Sequence, residues 1–179
     1  MTTPTSSPVV KLGVKPPYEL VCSTAFLLKR LGWAVKDRTF EVFEAAGESP
    51  YHYSVLAVLE ESARETQATI ADALGYDRSW LVGLLDELEE AGLIERRRDP
   101  ADRRHHLVSL NAAGKKKLAR LRALSQSVED EFLAPLEQEQ RDQLHAVLVQ
   151  LAAHHDPRYQ PGNGLPGKGH DAPTPHVKP

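Results

Sequence analysis

A single cysteine, Cys22, stands among 179 residues. No disulfide can therefore form within the chain, and a zinc site built from several cysteines is excluded. Long apolar runs are missing too: none approaches the roughly 18–20 residues of a membrane span, and the N-terminus lacks the basic start and apolar core of a secretory signal. A cytoplasmic protein is the natural expectation. Positive charge is not in excess, the formal net charge being -3, so nucleic-acid binding has to be argued from local charge. Glycine-rich phosphate loops, nucleophile elbows, paired metal motifs and the strands of a catalytic α/β core are all missing. The expectation is a protein that is not an enzyme and carries no cofactor or metal.

What is present is ordinary for a globular protein, 41% hydrophobic and 26% charged residues, on a length suited to one domain with tails. Prolines crowd residues 1–17 and, with glycines, residues 156–179. Both stretches have too little apolar content to offset the entropy of ordering, and are expected to be flexible tails around a domain at 18–155. Within it, Leu20, Leu27, Leu28, Leu31, Val35 and Val42 have helical spacing over 18–46, with Phe26, Trp33 and Phe40 off that stripe. A helix apolar on more than one side has more than one partner surface. Pro50 precedes a shorter helix over 51–63 with Val55, Leu56 and Leu59 inward.

Thr66 is placed to cap a short helix over 66–75 that ends at Gly75, and Asp77 to cap the next, over 78–91. In that second helix Leu81, Leu84, Leu85 and Leu88 recur at i, i+3, i+4 and i+7. Two short helices joined by a tight turn form a helix-turn-helix pattern. After Gly92 the period changes: 93–98 and 106–110 read as strands joined by the turn chemistry of Asp99-Pro100-Ala101-Asp102. A long helix from about Asn111 and a last helix over 137–153 follow. The fold class is mainly α with a small β-hairpin wing, a winged helix-turn-helix.

Residues 94–122 carry Arg96, Arg97, Arg98, Arg103, Arg104, Lys115, Lys116, Lys117, Arg120 and Arg122 against Glu95, Asp99 and Asp102. Charge on a hairpin can serve merely to block edge-to-edge aggregation. Directly after a helix-turn-helix, the same charges sit where a wing meets phosphates. With the leucine stripe inward, Arg78, Ser79, Trp80 and Gly83 become the candidates to reach bases or phosphates at the start of the second helix. Core packing is the competing reading of Trp80, Gly83 offers only close backbone approach, and Asp86 suits orienting an arginine better than touching a base.

The run Leu88-Glu89-Glu90-Ala91-Gly92-Leu93-Ile94, the wing tip Asp99-Pro100-Ala101-Asp102-Arg103-Arg104 and the strand end Val108-Ser109-Leu110-Asn111-Ala112-Ala113-Gly114 resemble the MarR family of bacterial transcriptional regulators. The resemblance runs from about Tyr51 to Leu151, with Asn111 where the family pattern has Thr. It implies a homodimer whose dimerisation helices are 18–46 and 111–153, binding double-stranded DNA at a pseudo-palindromic operator. Arg96, Arg98, Arg103 and Arg104 would contact DNA from the wing, with Asp102 orienting Arg104. It further implies a small aromatic or phenolic effector, for which Trp33, Tyr51, His52 and Tyr53 are candidate wall residues beside the plainer reading of helix packing. A branch of the family senses hydroperoxides through a first-helix cysteine; for Cys22 the expectation is a buried or inert side chain, with redox sensing as the alternative. Another alternative is a winged helix used for protein association without DNA.

Overall fold

The structure, a computed structural model, describes residues 15–61, 65–98, 100 and 106–159. The expected tails, apart from 15–17 and 156–159, lie outside the described residues, and so do Asp102, Arg103 and Arg104. The chain divides into two compact units after Asp130.

The single first helix expected over 18–46 is two. After the four-residue α1 (Tyr18–Val21), Ser23 starts a new helix, α2 (Thr24–Ala45), by accepting the Phe26 N–H on its hydroxyl oxygen at 3.3 Å. Cys22 lies at this break and is exposed. The apolar stripe of this region is also not in the core: Leu20, Leu27, Leu28 and Leu31 are 41–52% exposed in the single chain. Phe43, which the spacing did not single out, is the buried residue of α2.

α3 (Pro50–Glu61) buries Val55, Leu56 and Leu59 as its spacing predicts. α4 (Gln67–Leu74) is capped by Thr66, whose hydroxyl accepts the Thr69 N–H at 3.2 Å, and stops at Gly75 with φ 67. Only a residue tolerant of left-handed backbone fits there. α5 (Arg78–Glu90) is capped by Asp77 and buries Leu81, Leu84, Leu85 and Leu88. The hairpin is β2 (Ile94–Arg98) and β3 (His106–Leu110), with Ile94 opposite Leu110 and Arg98 opposite His106. A third strand, the two-residue β1 (Glu65–Thr66), adds to the far side of β3 and makes an antiparallel sheet of order β1-β3-β2. Strand alternation turns Ile94 and Val108 inward, where they join the α3, α4 and α5 side chains and Leu118 and Leu121 of α6 (Ala112–Phe132). In the second unit, α7 (Gln138–His155) opens with a capping box of Glu137 and Gln140 and leaves Leu144, Val147, Leu148 and Leu151 36–54% exposed.

α6 is fastened at its start. The Asn111 side-chain oxygen accepts the Gly114 N–H at 2.9 Å, and its amide donates to the Gly92 carbonyl at 2.8 Å. A threonine could supply the first bond but has no amide for the second. Gly114 is buried so tightly that a Cβ would overlap the Leu93 carbonyl oxygen and stand 2.8 Å from Leu110 Cδ2. Further along, Lys117 Nζ donates to the nearly buried Glu48 carboxylate at 2.7 Å, and Arg122 pairs with Glu60 of α3. That hydrogen bond and charge raise the Arg122 pKa above its ordinary value.

Because the obstacle at Gly114 is backbone, relaxation is costly. Gly114→Ala is expected to lower unfolding stability by about 1–3 kcal/mol despite the better helix propensity of alanine. Urea denaturation reads the difference; a variant as stable as the wild type would contradict this close approach.

Candidate nucleic-acid interface

Burying four leucines turns Ser79, Gly83, Asp86 and Glu90 to the opposite side of α5, with Trp80 and Val82 on its two flanks. The N-terminal turn is tightly specified. Asp77 Oδ1 accepts the backbone N–H groups of Ser79 at 2.9 Å and Trp80 at 3.0 Å, together with the Ser79 hydroxyl. These bonds hold the Asp77 carboxyl below its ordinary pKa, the Ser79 hydroxyl contributing most. Arg78, at the first helical position, is largely exposed and stands 3.5 Å from Asp72 Oδ1 of α4.

One flank of α5 is held by aromatic packing. Trp80 meets Tyr51 edge-on, with ring centroids 4.7 Å apart, and Tyr76 at 4.9 Å. Tyr51 also meets Phe40 of α2 at 5.3 Å. Each such pair contributes roughly 0.5–1.5 kcal/mol beyond the area it buries. Trp80 is nonetheless 42% exposed, so packing and accessibility coexist in this residue. On the same flank, His52 Nε2 lies 2.9 Å from Glu87 Oε2.

The other flank is held by charge. Arg96 of β2 lies against α5, its Nη2 2.6 Å from Asp86 Oδ1 and its Nε 3.4 Å from Glu89 Oε2, with the side chain 15% exposed. Neither nitrogen is aligned for a hydrogen bond, so this is an ion pair without directional bonds. Arg96, expected as a DNA contact, is therefore directed at the protein in this structure, with Asp86 and Glu89 as its ion-pair partners. Arg97 pairs with Glu95 at 2.8 Å on the outer face of the hairpin. Arg98 is exposed at the end of β2. An open cleft of about 180 Å³ there is lined by Arg97, Arg98, Pro100, Leu107 and Ser109.

The candidate effector residues point in different directions. Tyr51 belongs to the aromatic cluster with Phe40, Tyr76 and Trp80. His52 pairs with Glu87, and Tyr53 packs against Phe43 with centroids 6.0 Å apart. Trp33 is half exposed on α2, two turns before Phe40, with Lys29 Nζ 4.7 Å above its ring. Sequence reasoning missed Phe40 and Tyr76 as partners of Tyr51; the crowding of aromatics at 51, 53, 76 and 80 was the available signal. Among the described residues, no three His, Cys, Asp or Glu side chains cluster as a metal site, and no helix is long and apolar enough to cross a membrane.

Residues 49–106 match the MarR family. Over 105 residues the chain is 32% identical to a transcriptional regulatory protein named for the hcr operon of Thauera aromatica, covering 59% of this chain and 63% of that protein. It is 32% identical over 90 residues to the transcriptional regulator HosA of Escherichia coli O111:H-, covering 50% of this chain and 67% of HosA. The chain thus spans about two thirds of the length of these relatives. Among solved structures, the transcriptional repressor CouR bound to a 23-mer DNA duplex superposes with a TM-score of 0.69 at 32% identity, over 78% of this chain and 99% of CouR. CouR from Rhodococcus jostii RHA1 bound to p-coumaroyl-CoA superposes with a TM-score of 0.63 at 30% identity, over 76% of this chain and 96% of CouR.

An ion pair with one half-exposed partner contributes modestly, about 0.2–1 kcal/mol. A double-mutant cycle of Arg96→Ala and Asp86→Ala, followed by urea unfolding, is expected to return a coupling in that range. Strict additivity would show that the ion pair holds nothing.

Proposed function

The chain belongs to the MarR family, and from that premise we propose that it is a transcriptional regulator that binds double-stranded DNA as a homodimer, with α5 in the major groove and the wing against the adjoining backbone and minor groove. The observation that carries this reading is the setting of α5. Its N-terminal half is exposed beside a basic hairpin, while Asp86, Glu87 and Glu89 of its C-terminal half face Arg96 and His52. Phosphate repulsion from Asp86, Glu87 and Glu89 is thereby reduced where the helix enters the groove.

Dimerisation is supported by the apolar side chains left uncovered on α2 and α7. Patches of this kind on a single chain mark association surfaces. Repression and control by an aromatic effector are supported by the likeness to CouR, a repressor also solved with p-coumaroyl-CoA. They are supported too by the aromatic cluster around Tyr51, which reaches Trp80 at the start of α5. An aromatic molecule competing for the Tyr51 ring would act directly on the helix that enters the groove. The exposure of Cys22 keeps oxidation of its thiol as a second input to the same regulator.

The wing residues separate by role in a salt titration. Arg104→Ala is expected to weaken DNA binding by about 1–3 kcal/mol while the dimer persists. It should also flatten the plot of log affinity against log salt by about 0.9 for each phosphate that the arginine would otherwise neutralise. Arg96→Ala is expected to weaken binding with the slope unchanged, since it releases no phosphate. Fluorescence anisotropy at several salt concentrations, with sedimentation for the dimer, checks both. An Arg104→Ala protein with wild-type affinity and slope would remove the wing from the interface.

A further inference from the structure

We infer that α5 reads the major groove chiefly through the methyl groups of thymine, and that Val82 is the residue that contacts them. The inference rests on the DNA-binding reading above and adds the chemistry of base selection to it.

Polar side chains at the leading end of α5 are already engaged. The Ser79 hydroxyl donates to Asp77, Asp86 is paired with Arg96, and Trp80 is packed on Tyr51 and Tyr76. Arg78 is the one guanidinium on the helix; it sits at the first position, beside Asp72. What remains on the outward side is Gly83, with nothing within 4 Å of where a Cβ would stand, and Val82, 38% exposed on the flank nearer the hairpin. Neither offers a side-chain hydrogen bond. Val82 offers two methyl groups on a stiff, β-branched stem. Gly83 beside it lets the backbone come close enough for so short a side chain to reach a base edge.

Among the base edges of the major groove, the only apolar feature is the C5-methyl of thymine; guanine, adenine and cytosine show donors and acceptors there. A helix whose outward groups are methyls and bare backbone is matched to that feature. It leaves a guanine unpaired at N7 and O6 unless Arg78 reaches it. The occupant is duplex DNA because Arg98, exposed at the end of the adjoining hairpin strand, supplies positive charge for a phosphate backbone.

Burying one methyl group is worth about a fourfold change in affinity. The test uses the full chain to select duplexes from a randomised pool at low salt. Each thymine of the recovered duplex is then replaced by deoxyuridine, which lacks only the methyl group, at dyad-related positions together. Wild type and Val82→Ala are titrated at fixed salt by fluorescence anisotropy, with thermal melting to show that the exposed substitution leaves the fold intact. At one thymine position per half-site, wild type is expected to lose about fourfold for each methyl removed, while Val82→Ala binds both duplexes within about a factor of two. A tightly bound duplex with no sensitive thymine, or equal sensitivity in the two proteins, overturns the role of Val82 and leaves DNA binding standing. A pool from which nothing is enriched overturns the DNA-binding reading and this one with it.

Discussion

The leucines at 81, 84, 85 and 88 are at most 7% exposed, sealed against α3, α4 and the inner face of the sheet, and their burial fixes the rotation of α5 about its own axis. Every other property of the interface follows from that rotation. It turns Ser79 and Gly83 outward, aims Trp80 at Tyr51 and Tyr76, and brings Asp86 and Glu89 within reach of Arg96. Burial of this kind is worth roughly 1.5–3 kcal/mol for each leucine. The aromatic and ionic contacts on the flanks contribute less apiece. The core thus holds the helix, and the flanks set how its leading end is presented.

Those flanks differ in physical kind, and the difference bears on regulation. The Arg96 contact is electrostatic and only partly shielded, so it ties the wing to α5 without rigid bond geometry. The Tyr51–Trp80 contact is one of shape, and it runs on through Phe40 to α2, the helix that carries uncovered apolar side chains. A change in how α2 is packed, by a partner subunit or an aromatic effector, has a short path to the N-terminal turn of α5. Asp77 resists such a change, since three donors converge on one carboxylate oxygen.

Local chemistry was legible in the sequence wherever a single residue decides an outcome. Thr66 and Asp77 cap the helices that their positions announce, Gly75 and Gly92 end them in left-handed backbone, and the leucine spacing of α5 gives its buried face. Legibility failed where the outcome depends on what lies across the fold. The two-residue β1 is too short to show alternation. Arg96 carries the same charge as Arg97, and only strand alternation, which turns Arg96 toward Asp86 and Glu89, separates an arginine facing the protein from one facing out. The stripe of α2 reads as core by spacing, yet among the described residues Leu27, Leu28 and Leu31 stay exposed. Tyr51, His52 and Tyr53 adjoin in sequence, but successive helical positions face about 100° apart, so they meet Trp80, Glu87 and Phe43 respectively.

Dimeric binding through paired α5 helices is the central claim, and hydroxyl-radical footprinting of a duplex selected by the full chain tests it most directly. The prediction is two protected segments related by a dyad, about 10 base pairs apart from centre to centre, with further protection outside each where a wing arginine enters the minor groove. A single protected segment without dyad symmetry would contradict it.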